Sequence, residues 1–350
     1  MLAQFKRFRM AIVALIAAGA VVFGIAVPAN AALPDEDLGW LPVQYDAGQI
    51  YSQSTEGEAR DSHGNVVHAW RSHTDNSLWI SVNRSNARQV PALVDGTFAQ
   101  TRAAPSVIWT DNGSGGNFRI FHTGVDGNIY QTRVQLRSDG YLPTVIPRAA
   151  QVPSTVVTSP YTGPSATALP NNSFMLAWVG ASGPFAWTTY FNGGNNRWSA
   201  PSDIPGARTV DTPAIAAQIS SWNQIVAVWR DIPSGQLYLS RQTYGSGYWT
   251  TPYALGGNVP RATDYSPSIA LTDNGWGLVT MVNSYDDTIT SIAITREGAV
   301  SSWYDEVTRS PACHTVLVVA VHALLYYVRT QANGAVDYKR AADFSSVNHG

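Results

Sequence analysis

One spacing of proline, aromatic and cationic residues returns along the chain about every 51 residues, and this period constrains the fold more than any other feature. Sixteen residues after Pro213 stands Trp229, nine further on stands Tyr238, and three beyond that Arg241. The same offsets from Pro105 reach Phe121, Tyr130 and Arg133, and from Pro311 they reach Tyr327, Val336 and Lys339. Trp70 with Trp79 and Trp178 with Trp187 share the inner spacing of nine, and a degenerate copy runs through Pro267, Asn283 and Ile292. The six anchors are therefore 70, 121, 178, 229, 283 and 327. Self-similarity on this scale marks an architecture in which one supersecondary unit is stacked or arrayed.

Within a unit the pattern is β. No segment keeps apolar residues at helical spacing over helical length; short runs of Val, Ile, Trp and Tyr lie between Gly, Pro, Asn and Asp instead. The fourth unit is clearest, with runs at Ala214–Ala217, Ile225–Arg230, Gln236–Arg241 and Tyr248–Pro252. Turn formers separate the second run from the third, as in Val125-Asp126-Gly127-Asn128, where Gly and Asn supply the positive φ of a tight hairpin. Ile225-Val226-Ala227-Val228-Trp229 is apolar on both faces, which fits a strand covered on both sides. Val316–Val328 reads the same way, as two strands joined near His322-Ala323. Four short antiparallel strands per fifty-residue unit predict an all-β protein, a single β-propeller. Six blades are expected, with five or seven as the neighbouring solutions. Seven requires residues 41–55 and the C-terminal segment to make one extra blade. A pair of β-sandwiches is the competing architecture.

The ends assign the rest of the chain. Residues 1–31 combine Lys6, Arg7 and Arg9 with an apolar run from Met10 to Val27 and then Ala29-Asn30-Ala31. That order predicts a secretory signal peptide cleaved near Ala31, a secreted protein and a propeller domain over 32–350. Charged residues make up only 13% of the sequence, and 22 basic residues face 24 acidic ones. Such a balance gives no electrostatic footprint for nucleic acid, nor for membrane association after cleavage. Lys occurs only at 6 and 339 while Arg is abundant, a codon signature expected of a GC-rich bacterial genome. Cys313 is the single cysteine, so no intramolecular disulfide and no multi-cysteine zinc site is expected.

Catalytic patterns are scarce. There is no nucleophile elbow, since Gly245-Ser246-Gly247 lies between strand runs, and no metalloprotease, nucleotide-loop or calcium-loop spacing. His63, His68 and His73 are five apart, which alternates faces along a strand and disfavours a shared metal. Neither a metal nor a cofactor is expected, and no catalytic residue is assigned. None of the five Glu is placed on an innermost strand by this reading, and Asp111, Asp126, Asp231, Asp273 and Asp286 sit beside turn formers.

Aromatic and arginine residues are what recur. Trp70-Arg71 and Trp229-Arg230 share a register, Arg133 and Arg241 end third runs, and Trp198, Trp249 and Trp303 open fourth runs. An indole covers the C–H face of a sugar ring while Arg, Asn or Asp bonds its hydroxyl rim. Trp70, Trp178 and Trp229 read as packing between blades, whereas the fourth-run tryptophans are candidates for ligand contact. The segment Ile225–Gly257, through Val-Trp-Arg, Gly-Gln-Leu-Tyr, Gly-Tyr-Trp and Leu-Gly-Gly, resembles one blade of the secreted propeller lectins related to fucose-binding lectins. The wider superfamily includes the sialidase-like propellers, and Asn117-Phe118-Arg119-Ile120 is similar to their arginine motif, here inside a middle strand. The resemblance implies sugar pockets between adjacent blades, with Trp198, Trp249, Trp303, Arg133, Arg241, Tyr238 and Arg230 as ligand-binding candidates and a carbohydrate as partner. The alternatives are a propeller glycoside hydrolase using Asp carboxylates near the central channel, and an exported interaction scaffold.

Overall fold

A computed structural model describes residues 57–305, apart from short segments, and the backbone of strands Gln44–Tyr45, Val316–Val321, Leu324–Thr330 and Val336–Asp343. Residues 1–31, where a leader is expected, Cys313 and Asp286 lie outside the described residues. No helix occurs among the described residues.

Six antiparallel sheets follow one another along the chain. Blade one comprises Gly57–Arg60, Val66–Arg71, Leu78–Val82 and Ser85–Gln89; blade two comprises Ser106–Thr110, Asn117–Thr123, Ile129–Val134 and Ala150–Gln151. Blade three runs Ser165–Leu169, Ser173–Val179, Phe185–Asn192 and Arg197–Trp198, with Ser202–Arg208 added beside its third strand. Blade four is Ala214–Gln218, Gln224–Arg230, Leu237–Thr243 and Tyr253–Ala254; blade five is Ser268–Leu271, Trp276–Val282, Ile289–Thr295 and Val300–Asp305. Blade six takes three strands from Val316–Asp343, and its fourth is Gln44–Tyr45, paired with Tyr338 and Asp337. The early segment thus completes the sixth blade and makes no seventh. The first strands touch in sequence from blade one to blade six and back to blade one, so the ring is closed.

The burial of the second strands follows from their composition. Asn117–Thr123, Ser173–Val179 and Trp276–Val282 are buried at every position, with one face on the preceding blade and one on the next. Phe121, Phe174 and Trp178 share one inter-blade cluster; Ala227 and Trp229 meet Ala186, Ile204 and Ala207 in another. In blade four the fourth strand is Tyr253–Ala254, later than the expected 248–252. Trp249 keeps only an isolated bridge to Gln242.

Two devices join neighbouring blades. Ser106 Oγ accepts from Ala166 N, and Ser165 Oγ accepts from Ile215 N, both at 3.1 Å. Farther out, Thr101, Thr158, Thr209 and Thr263 are buried. Their N–H groups donate to Asn76, Gly127, Pro184 and Gly235 carbonyls in the second-to-third-strand turn of the preceding blade. Thr101, Thr209 and Thr263 also close a local ring with the backbone two residues on.

Close approach at the ring's centre requires glycine. A Cβ at Gly163 would lie 2.1 Å from the Ala104 carbonyl oxygen, a clash with backbone that side-chain movement cannot relieve. Gly163→Ala is expected to cost about 1–3 kcal/mol through overpacking, read as a lower urea midpoint. An unchanged midpoint would mean that the inner strands are not held at this distance.

Candidate functional site

The second and third strands of blades one to four carry an aromatic pair at one position. Trp70 stacks on Trp79 and Trp229 on Tyr238, each with centroids 6.4 Å apart, and Trp178 stands opposite Trp187. In blade two the pair is His122 with Tyr130, at 5.5 Å. The structural equivalent of Trp229 is therefore His122, not Phe121. The hairpin Thr123–Ile129 is one residue shorter than that of blade four, and a one-residue slip turns a side chain to the other face. In blade five the equivalent is Met281, paired with Thr290, in place of the expected anchor Asn283. The sixth anchor, Tyr327, has no described side chain.

These pairs are built as packing. Trp178 and Trp229 are fully buried and Trp70 nearly so. Tyr238 is half-buried against the Trp229 cluster, which Trp249 also touches. Arg230 forms an ion pair with Asp211 of the loop entering the same blade. Burial pushes the His122 imidazole down to about 4, against an opposing pull from Asp126. Burial also raises Tyr130, assisted by Asp126, whose own carboxyl is held low by Asn128 and Tyr130 despite partial burial.

Contacts of another kind lie at the junctions where the third strand of one blade faces the fourth-strand region of the next. Arg133, Tyr190 and Arg241 are equivalent by register, opposite Arg119, Met175 and Val226. Trp198, Trp249 and Trp303 enter from the following blade in each case, half-buried against the clusters between blades two and three, three and four, and four and five. Trp198 meets Phe174 and Phe191 edge-on, both at 5.2 Å. Trp249 shares its cluster with Tyr190 and Tyr244. Trp303 lies opposite Ile292, two residues from the place that Trp249 holds opposite Gln242.

The arginines of these junctions differ. Arg133 is exposed. Arg241 is buried over Trp222 and donates to Gln224 Oε1, to the Thr295 and Arg296 carbonyls and to Tyr253 Oη. Its guanidinium ties blade four to blade five. The candidates thus divide: Trp198 and Arg133 share one junction and Trp303 and Arg241 another, while Trp249, Tyr238 and Arg230 belong to blade four's contact with blade three.

Carboxylates mostly serve turns and ion pairs. Asp61 accepts from His63 N, Asn65 N and Asn65 Nδ2; Asp75 from Ser77; Asp126 from Asn128 and Tyr130; Asp231 from Ser234. Glu58 corrects the expectation for glutamates. It lies on the innermost strand Gly57–Arg60, with Oε2 3.3 Å from buried His68 Nδ1, its partner across the ladder. The short run Gly57–Arg60 has no aromatic or proline anchor, so the repeat did not reach it. His63 is exposed and His73 lies outside the described residues. Among the described residues no group of three or more His, Cys, Asp or Glu is gathered.

No protein-family model and no curated protein sequence matches the chain. Solved structures do. The AofleA protein of Arthrobotrys oligospora superposes with a TM-score of 0.63 at 11% identity, over 86% of each chain. The Aleuria aurantia lectin, solved with α-methyl-L-fucoside, gives 0.54 at 8% identity over 87% of this chain and 95% of that one. An α-L-arabinofuranosidase from Fusarium graminearum gives 0.56 at 12% identity, covering 87% and 96%. Another structure of the Aleuria lectin is described as a six-bladed β-propeller, and sialidases share the fold. The chain has the fold of the lectin and sialidase-like propellers.

Proposed function

We propose that this protein is an exported glycan-binding propeller that holds sugars in the grooves between blades and performs no catalysis. The observation that carries the reading is the recurrence, at three successive junctions, of a half-buried tryptophan from one blade facing an Arg or Tyr of the blade before. A half-buried indole presents an apolar face at fixed orientation, which suits the C–H face of a pyranose. The exposed guanidinium of Arg133 or the phenol of Tyr190 supplies hydrogen bonds to ring hydroxyls, whereas Arg241 is engaged within the protein. The leader over 1–31 supports export. Several structurally similar proteins are lectins, which is consistent with a carbohydrate partner.

A glycan array probed with the purified mature chain tests this reading. Retention of at least one sugar class is expected, with Trp249→Ala weakening it at least tenfold while the far-UV circular dichroism spectrum is kept. An array without retained sugars would sink the reading and leave an interaction scaffold. Hydrolysis would need two carboxyl groups about 5–10 Å apart across a glycosidic bond. The engagement of Asp61, Asp75, Asp126 and Asp231 in their own turns favours binding over hydrolysis. Release of reducing sugar, abolished by a single Asp substitution, would establish the hydrolase instead.

A further inference from the structure

Two arginines meet at the junction of blades two and three without a counterion among the described residues. Arg119, on Asn117–Thr123, is 4% exposed. Its Nε donates to Thr110 Oγ1 and its Nη2 to Asn172 Oδ1, both at 3.0 Å, leaving Nη1 without an acceptor among the described residues. The guanidinium lies over the rings of Phe174 and Phe191, at 4.8 and 5.5 Å. Arg133 is its direct partner across the ladder and is exposed. Neither arginine forms an ion pair with a described residue, in contrast to Arg230 with Asp211.

This arrangement is costly. Like charges directly opposite on a sheet repel, and a buried cation without a carboxylate has lost hydration that nothing replaces in full. Burial first, and Arg133 second, push the Arg119 pKa down to about 10, so it stays charged at neutral pH. Neutral acceptors orient it. Asn171 and Asn172 both have positive φ, 59° and 58°, the left-handed pair of a tight hairpin that asparagine tolerates. That turn places the Asn172 side chain against Arg119 across the junction. Trp198 packs edge-on against the same two phenylalanines that carry the guanidinium.

We propose that this junction binds the anionic group of an acidic sugar, a carboxylate or a sulfate ester, between Arg133 and Arg119, with the sugar ring beside Trp198. The inference rests on the glycan reading of the junctions and adds the chemical class of one ligand. The bound anion supplies the counterion that no described residue provides, and two guanidinium groups match its paired oxygens.

The test uses the mature chain with three probes at matched ionic strength, D-glucuronate, inorganic sulfate and D-glucose, read by calorimetry and by melting temperature against sodium chloride. Glucuronate or sulfate is expected to bind at least tenfold more tightly than glucose. Response to glucuronate alone assigns a carboxylate, and response to sulfate alone assigns a sulfate ester. Arg133→Gln should lower anion affinity at least tenfold without lowering the melting temperature of the free protein. Arg133→Glu should abolish anion binding yet raise that melting temperature, because Arg119 then faces a carboxylate. If neither anion exceeds chloride, the anion site is overturned, and sugars still retained on the array leave the glycan reading intact. Anion binding by a chain that retains no sugar on the array sinks the glycan reading and keeps the anion site.

Discussion

Trp229→Ala should destabilise the protein by about 3–5 kcal/mol, the range for removing a large aromatic side chain from a core. Trp229 has no exposed surface, stacks on Tyr238 and fills the contact between blades three and four with Ala186, Ile204 and Ala207. Truncation removes the transfer free energy of the ring and leaves a cavity walled by two sheets, neither of which can collapse without shifting the ring of blades. Urea unfolding followed by far-UV circular dichroism measures the loss. Tyr248→Ala is the control: Tyr248 is 83% exposed on the loop of the same blade, and its removal should stay within about 0.5 kcal/mol. Equal midpoints for the two variants would show that the stacked pairs do not hold the blades together.

Acid should weaken the fold through His122. The imidazole is 2% exposed and packed against Tyr130, and burial holds its pKa near 4. In the unfolded chain it takes a proton near pH 6.5. Between those values unfolding takes up a proton, so falling pH favours the unfolded state. The stability that neutral His122 allows is complete above about pH 6.5 and declines until the folded form also protonates near pH 4. The gap corresponds to about 3 kcal/mol. His122→Phe keeps an aromatic ring on Tyr130 and removes the titration. Urea midpoints at pH 7.5 and pH 4.5 should therefore draw further apart for the parent than for the variant. An identical pH dependence in both would exclude His122 as the source.

The repeat carried most of the architecture because its carriers are large and periodic. Trp70, Trp178 and Trp229 mark the same place in three blades, and the two-sided apolar run at Ile225–Trp229 announced a strand covered on both faces. The slip at Phe121 arose because a fixed offset was carried across a shorter hairpin, where side-chain direction follows the ladder and not the count. The threonines at 101, 158, 209 and 263 are not legible in the sequence, although three stand four residues before a repeat proline. A small β-branched residue beside a strand carries no signal until its hydrogen bonds are seen. Among the site candidates, the junction positions of Trp198, Trp249 and Trp303 were legible as fourth-run aromatics. The role of Arg241 was not, because two of its acceptors are carbonyls of the next blade. Arg119 stands in a motif of a middle strand, but its setting without a described carboxylate emerges only when Phe174, Phe191 and Asn172 of the next blade are packed against it.

The pairing of Gln44 with Tyr338 has a kinetic side. Blades one to five are each assembled from neighbouring hairpins, contacts of short sequence separation that form early. The sixth sheet cannot be completed until the chain beyond residue 338 has been made, and its closure then requires a search across almost the whole chain. Until that moment the nascent ring presents two unpaired strand edges, the kind of surface that recruits other chains. The vulnerable interval of this protein's life is thus the one before its first strand meets its last.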